Sequence, residues 1–253
     1  MGLPFPMRSS DVNTVAREDA HVPDEPDMRW CRTVRRRLLA WGRANFQSYP
    51  WRHENDPWLA LAAEVLLQRT RAKQVEPVYM ELRTRYPTTA NIVEAGPEAI
   101  AALTARVGLH WRGRLLYELA LAVNARGGTP PDRLDELRQL RVVGPYTAAA
   151  WLSLHRGERA VLIDSNVARW LARMVGNPYV RDPRNVPWIQ RLADCLTPRR
   201  VFRAYNYAVL DFTMIVCTGR HPACLGCPVR SYCQHEKAHS AKAGGGESGS
   251  ASA

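Results

Sequence analysis

Apolar residues recur at three- and four-residue intervals along most of the chain, the spacing of helices that bury one face. In "MRWCRTVRRRLLAWGRANF", Trp30, Val34, Leu38, Leu39 and Trp41 fall near one stripe with arginines between them, which predicts an amphipathic helix with a basic face. "NDPWLALAAEVLLQRT" opens on Asp56 as N-cap and Pro57 at the first helical position, a pairing suited to a helix start. "RAKQVEPVYMELRTRY" reads as another helix, bent or restarted at Pro77. "PEAIAALTARVG", "WRGRLLYELALAVNARGG" and "RLDELRQL" continue the pattern, with Gly108 and the Gly127–Gly128 pair as stops. So do "GPYTAAAWLSLHRG", "DSNVARWLARMVG", "VPWIQRLADCLT" and "VFRAYNYAVLDFTMIVC". Only "AVLI" at 160–163 looks like a short strand. The prediction is an all-α fold of about ten helices joined by short connections. Residues 1–27 are polar and lack a helical period, and 237–253 are rich in Gly, Ser and Ala. They are expected to be a flexible arm and a disordered tail.

At 253 residues and 46% apolar content, the chain can bury a real core. No apolar run reaches the length of a membrane span, and no basic start followed by an apolar block marks a secretory signal. A cytoplasmic protein with reduced thiols is therefore expected. The net charge is +11, carried mostly by arginine. Guanidinium forks suit phosphate, so a nucleic-acid partner fits; an arginine-rich surface serving only solubility would give the same total.

Four of the six cysteines crowd into "CTGRHPACLGCPVRSYC": Cys217, Cys224, Cys227 and Cys233, spaced C-x6-C-x2-C-x5-C. In a reducing compartment these read as metal ligands. Structural zinc usually takes two short cysteine pairs. Only one short pair exists here, so an iron–sulfur cluster is the other reading. Pro222 and Pro228 stiffen the loop, and Arg220, His221 and Arg230 make it basic. Cys31 and Cys195 lie in apolar helical patterns and read as core residues. "LRQLRVVGPYTAAAWL" reads as helix, tight turn, helix, with Gly144 where the second helix begins; amides there can bind a phosphate oxygen. Asp164 is placed as the N-cap of the following helix, and Glu64 lies among apolar neighbours in "AAEVLLQRT".

This cysteine spacing at the end of a basic, all-α chain resembles the iron–sulfur branch of the helix-hairpin-helix DNA glycosylases, the endonuclease III superfamily, over residues 28–235. The resemblance implies a structural [4Fe-4S] cluster on the four cysteines, presenting Arg220, His221 and Arg230 to DNA. It implies two helical lobes around a DNA-binding cleft: a helical barrel with the hairpin at 48–158, and a cluster lobe formed by 28–47 with 159–236. In the hairpin Leu140, Val143, Gly144, Thr147 and Ala148 match the family, with Gly144 and Thr147 toward DNA. Arg141 and Val142 replace its Pro and first Gly. A β-branched residue resists positive φ, so a reshaped turn is expected, which puts a bound cation there in question.

The same resemblance assigns roles. Asp164, with Asn166 beside it on the DNA side, would stabilise the sugar's oxocarbenium character and orient water. Glu64 would be the base-side acid, Gln68 the wedge filling the gap of a flipped nucleotide, and Arg69 a contact to the opposite strand. Tyr146 stands where strand-cutting members carry a lysine that forms a Schiff base. A monofunctional glycosylase is therefore expected, without efficient lyase activity. Its implied substrate is double-stranded DNA with a mismatched or damaged base. Thymine or uracil opposite guanine is favoured by "WRHENDPW" and "LDFTMIVC", and by the Gly/Ser tail where adenine enzymes carry a second domain. The alternatives are an adenine glycosylase acting on A:G or A:8-oxoguanine, and a non-catalytic module that binds distorted DNA. A monomer working at the nucleoid is expected.

Overall fold

The computed structural model describes residues 26–106, 108, 111–177 and 186–238. The expected arm and tail lie almost wholly outside these residues. The described residues hold ten α-helices and no strand, so "AVLI" does not form the short strand expected of it.

Helix α1 (Met28–Ala44) is capped by Asp27, whose side chain accepts from the Arg29 amide at 2.8 Å. It buries Cys31, Val34 and Leu38 and leaves its arginine face outward. A short 3-10 turn, Pro50–His53, leads into α2 (Pro57–Leu66), which starts as read: Asp56 caps the Leu59 amide at 2.8 Å and Pro57 takes the first position. Every residue of α2 from Trp58 to Leu66 is buried, which makes it the axis of its core. Pro77 neither ends nor restarts α3 (Ala72–Arg85). The next helix begins earlier than "PEAIAALTARVG" suggested. α4 (Thr89–Ala105) opens with a Thr88–Asn91 capping box and breaks at Gly96, whose φ of +80° suits glycine, before Pro97 restarts it. Then come α5 (Trp111–Asn124), α6 (Leu134–Leu137), α7 (Pro145–His155), α8 (Ser165–Val175), α9 (Pro187–Leu196) and α10 (Phe202–Ile215).

Two main cores result. One is drawn from residues 51–152 and contains Trp58, Leu61, Tyr79, Ile100, Leu116 and Trp151. The other joins α1 to α8, α9 and α10 through Leu38, Trp170, Leu171, Ile189 and Phe212, and reaches Val229. A small third cluster, Ala150, Leu154, Leu162 and Tyr207, with Tyr146 packed against it, bridges α7 to α10. Cys31 lies in the second core and Cys195 packs against it, as read, and the two are in addition joined as a disulfide between α1 and α9. None of the described helices is long and apolar enough to cross a membrane.

Candidate active site

The site forms where α2, α7, the start of α8 and α10 meet. Glu64 is on α2, 7% exposed. Its Oε1 lies 3.0 Å from Nε2 of His155, the last residue of α7. Tyr146, in the first turn of α7, stands within electrostatic reach of two carboxylates. Burial first, then Asp164, then Glu64 push its phenol well above the ordinary tyrosine range, so it stays protonated. Tyr207 on α10 closes another side. Burial and then Glu64 raise its phenol to about 12, against the opposing pull of Arg203 and Arg52.

Asp164 caps α8 in the manner its sequence position suggested. Its Oδ1 accepts from the amides of Asn166 at 2.9 Å and Val167 at 2.7 Å. Oδ2 has only the long 3.5 Å approach of Asn166 Nδ2. One carboxylate oxygen thus builds the helix, while the other has no short hydrogen bond among the described residues. Asn166 is turned toward its own helix: its Oδ1 accepts from Arg169 at 2.8 Å.

The α2–α3 turn carries Gln68 and Arg69. Arg69 is exposed and adopts a φ of +54°, a conformation that L-residues seldom take. Arg112, fully buried, braces this turn from below by donating to the Leu66 carbonyl at 3.2 Å and to the Thr70 hydroxyl. Gln68 Nε2 donates to Thr147 Oγ1 at 3.0 Å. Thr147 is 4% exposed, and its hydroxyl holds Gln68. In the hairpin, Val142 avoids positive φ, as steric reasoning required, and the Val143 amide closes the turn onto the Leu140 carbonyl at 2.8 Å. Gly144 is exposed at the N-cap of α7, and Pro145 has no amide hydrogen. The amides of Tyr146 and Thr147 follow in the first turn, where no intrahelical acceptor is available.

Cys217, Cys224, Cys227 and Cys233 line one pocket with Trp170, Phe212 and Val229 behind them. Among the described residues no three His, Cys, Asp or Glu side chains converge as a single metal ion would require. Burial, foremost, raises the thiols of Cys224 and Cys233, and that of Cys227 to about 11. Arg173 reaches into the loop, donating to the Thr218 and Gly219 carbonyls at 2.6 and 2.8 Å and approaching Cys217 Sγ at 3.4 Å. Arg220 and His221 are exposed. Arg230 is not a free cation: Glu236 binds it at 2.7 Å.

His155 and Tyr207 escaped sequence reasoning. Each sits in an apolar helical run that reads as core. The one available signal was Glu64 itself, since a carboxylate amid apolar neighbours needs a partner if buried.

No protein-family model matches the chain. Comparison with characterised proteins is decisive instead. The chain is 34% identical over 206 residues to a thymine-DNA glycosylase of Aeropyrum pernix, covering 79% of this chain and 92% of the relative. It is 32% identical to a thymine/uracil-DNA glycosylase of Methanothermobacter thermautotrophicus, covering 78% and 90%. It is 28% identical to an adenine DNA glycosylase of Mycolicibacterium smegmatis, covering 79% and 69%. The solved structure of a thermostable thymine-DNA glycosylase superposes with a TM-score of 0.77 at 30% identity, covering 83% of this chain and 98% of the other. A structure of endonuclease III with DNA shares the fold at a TM-score of 0.70 and 20% identity, with the same coverage. The chain therefore belongs to the helix-hairpin-helix DNA glycosylases of the endonuclease III superfamily. It is accordingly an enzyme of base-excision repair, a hydrolase of N-glycosyl bonds.

Proposed function

We propose that this enzyme removes thymine or uracil from opposite guanine by direct hydrolysis, leaving the strand uncut. The carrying observation is the convergence of Glu64, Tyr146 and Asp164 on one site in which the central residue is a phenol and not an amine. A phenol cannot form a Schiff base with the sugar. As the C1′–N bond breaks, its electron pair leaves with the base and positive charge spreads over C1′ and the ring oxygen. The Asp164 Oδ2 edge stabilises that charge. Water then adds its oxygen to C1′ and passes a proton to Asp164. Glu64 and Tyr207 line the side that receives the flipped base.

Substrate choice draws support from the two pyrimidine-acting relatives. The adenine-acting relative supports a second reading, removal of adenine from A:G or A:8-oxoguanine pairs. In either case the first-turn amides of α7 and the exposed Arg220 and His221 would grip phosphates. Gln68, seated on Thr147, would fill the vacated stack, with Arg69 toward the opposite strand. The two lobes, 48–158 and 28–47 with 159–236, would flank the duplex, and the enzyme would work as a monomer on the nucleoid in the cytoplasm.

The four cysteines suit a [4Fe-4S] cluster by their number and spacing, since a cluster takes four thiolates around a cubane, and all four line one pocket. Cys217, Cys224, Cys227 and Cys233 would hold it, and it would supply structural bracing beneath the Arg220–His221 loop.

The test is a panel of duplexes bearing G:T, G:U, A:G and A:8-oxoguanine, each read with and without hot alkali. Alkali-dependent breaks at G:T and G:U are expected. Breaks confined to the adenine pairs would establish the second reading, and breaks without alkali would contradict direct hydrolysis.

A further inference from the structure

Glu64 has a partner that the hydrolytic scheme leaves unused. His155 places Nε2 3.0 Å from Glu64 Oε1, with its side chain 1% exposed and that of Glu64 7% exposed. The other ring nitrogen, Nδ1, is buried without a hydrogen-bond partner among the described residues. A buried N–H without an acceptor is costly, and a bare lone pair less so. The geometry favours the tautomer with its hydrogen on Nε2, since the opposite one would orphan an Nδ1–H. In this tautomer His155 Nε2–H donates to Glu64 Oε1, which accepts. The other titratable groups facing the pair do not reverse this. Tyr146 on α7 and Tyr207 on α10 keep their phenol protons. Asp164 acts on Tyr146 from the start of α8, while Arg52 and Arg203 act on Tyr207.

We propose that His155 is a specificity-determining positioning residue: by holding Glu64 as a carboxylate acceptor, it tunes the base pocket to the imide N–H of thymine or uracil and against adenine. The inference rests on the pyrimidine reading, names the device behind it, and gives Glu64 an accepting role in place of the acid role that the resemblance implied. An imide presents N3–H as a donor, which a carboxylate accepts. When the C1′–N1 bond breaks, the electron pair is delocalised over the ring and both carbonyls, so the pyrimidine leaves as an anion without an acid. Adenine's ring nitrogens only accept, its one donor being the exocyclic amine, and its departure calls for a proton at the ring. A Glu64 Oε1 already accepting from His155 offers no donor to those ring nitrogens and no proton to the leaving base, and a site lacking the complementary donor discriminates strongly.

The test compares the parent enzyme with His155→Leu, which removes the donor, and His155→Gln, which keeps a buried N–H. Single-turnover rates on G:U and A:G duplexes are taken from pH 6 to pH 9, with duplex affinity measured alongside. In His155→Leu a carboxyl left without its donor keeps its proton to higher pH. G:U excision at neutral pH is expected to fall by about tenfold or more and to recover as pH rises, with A:G excision gaining relative to G:U. His155→Gln is expected to restore the parent profile. A His155→Leu loss that is the same at every pH would reduce His155 to packing and overturn the proposal. A His155→Gln enzyme that loses G:U turnover overturns it alone, even if the leucine variant fails to fold. A parent that excises adenine and not uracil would overturn the underlying reading, a result visible before either variant is compared.

Discussion

Arg52 and Asp211 form a two-armed ion pair, Nη1 to Oδ2 and Nη2 to Oδ1 both at 2.7 Å, sealed between the two main cores. Arg52 precedes α2, and Asp211 lies on α10. Tyr207, Phe46 and Tyr49 surround the guanidinium, with ring centroids 4.5, 5.1 and 5.5 Å from Cζ. The pair thus locks the segment leading to Glu64 against the helix that brings Tyr207 to the same pocket. Asp211→Ala would leave a buried guanidinium without its counter-charge. The expected loss is about 3–5 kcal/mol in denaturant unfolding, with a smaller loss when Arg52→Met accompanies Asp211→Leu. A single-variant loss of less than about 1 kcal/mol would show that the charge finds water and that the cores are less tightly joined.

Tyr146 decides whether the strand is cut. The parent enzyme is expected to give no covalent adduct when borohydride is added to its reaction. Tyr146→Lys places an amine between Glu64 and Asp164 and is expected to create a trappable adduct. Efficient trapping of the parent would mean that another amine attacks the sugar.

The cysteine loop makes a paired prediction. Protein purified without oxygen should carry iron and sulfide and show a broad visible absorbance, lost in Cys227→Ala. Replacing Arg220 and His221 with alanine should weaken binding to all duplexes and flatten its salt dependence, by up to about one unit of slope per lost phosphate contact. Arg230→Ala should have a smaller effect because Glu236 already balances that charge. A colourless, iron-free protein that binds and cleaves normally would remove the cluster from the account.

Helices α1 and α10 meet at Gly42. A Cβ there would collide with Cβ and Cα of Ala208. Gly42→Ala is expected to cost about 1–3 kcal/mol through overpacking. At Gly144 the same substitution meets nothing within 4 Å, and φ is −73°, so stability should hold while duplex binding reports on the hairpin. Equal melting losses for both variants would contradict the packing described.

Most helices are legible in the sequence because one stripe of each is apolar and caps such as Asp56 and Asp164 mark their starts. The clustered cysteines are legible because spacing alone brings them together. What escapes depends on distant partners. Gln68 chooses Thr147 and Cys31 chooses Cys195 only after the chain has folded. His155 reads as the polar end of an apolar helix until α2 delivers a carboxylate to it. Pro77 reads as a break, yet α3 continues through it, because tertiary packing of Val75, Val78 and Tyr79 outweighs one missing hydrogen bond.

The most direct measurement takes Asp164→Asn through single-turnover excision on a G:U duplex, with duplex affinity and melting temperature in parallel. Asparagine caps a helix about as well as aspartate, so α8 and binding should survive while the developing sugar charge loses its counter-ion. The account predicts a rate loss on the order of a hundredfold or more, with affinity within a few-fold of the parent and melting nearly unchanged. A variant that excises uracil at the parent rate would contradict the role of Asp164 and, with it, the hydrolytic site built around Tyr146.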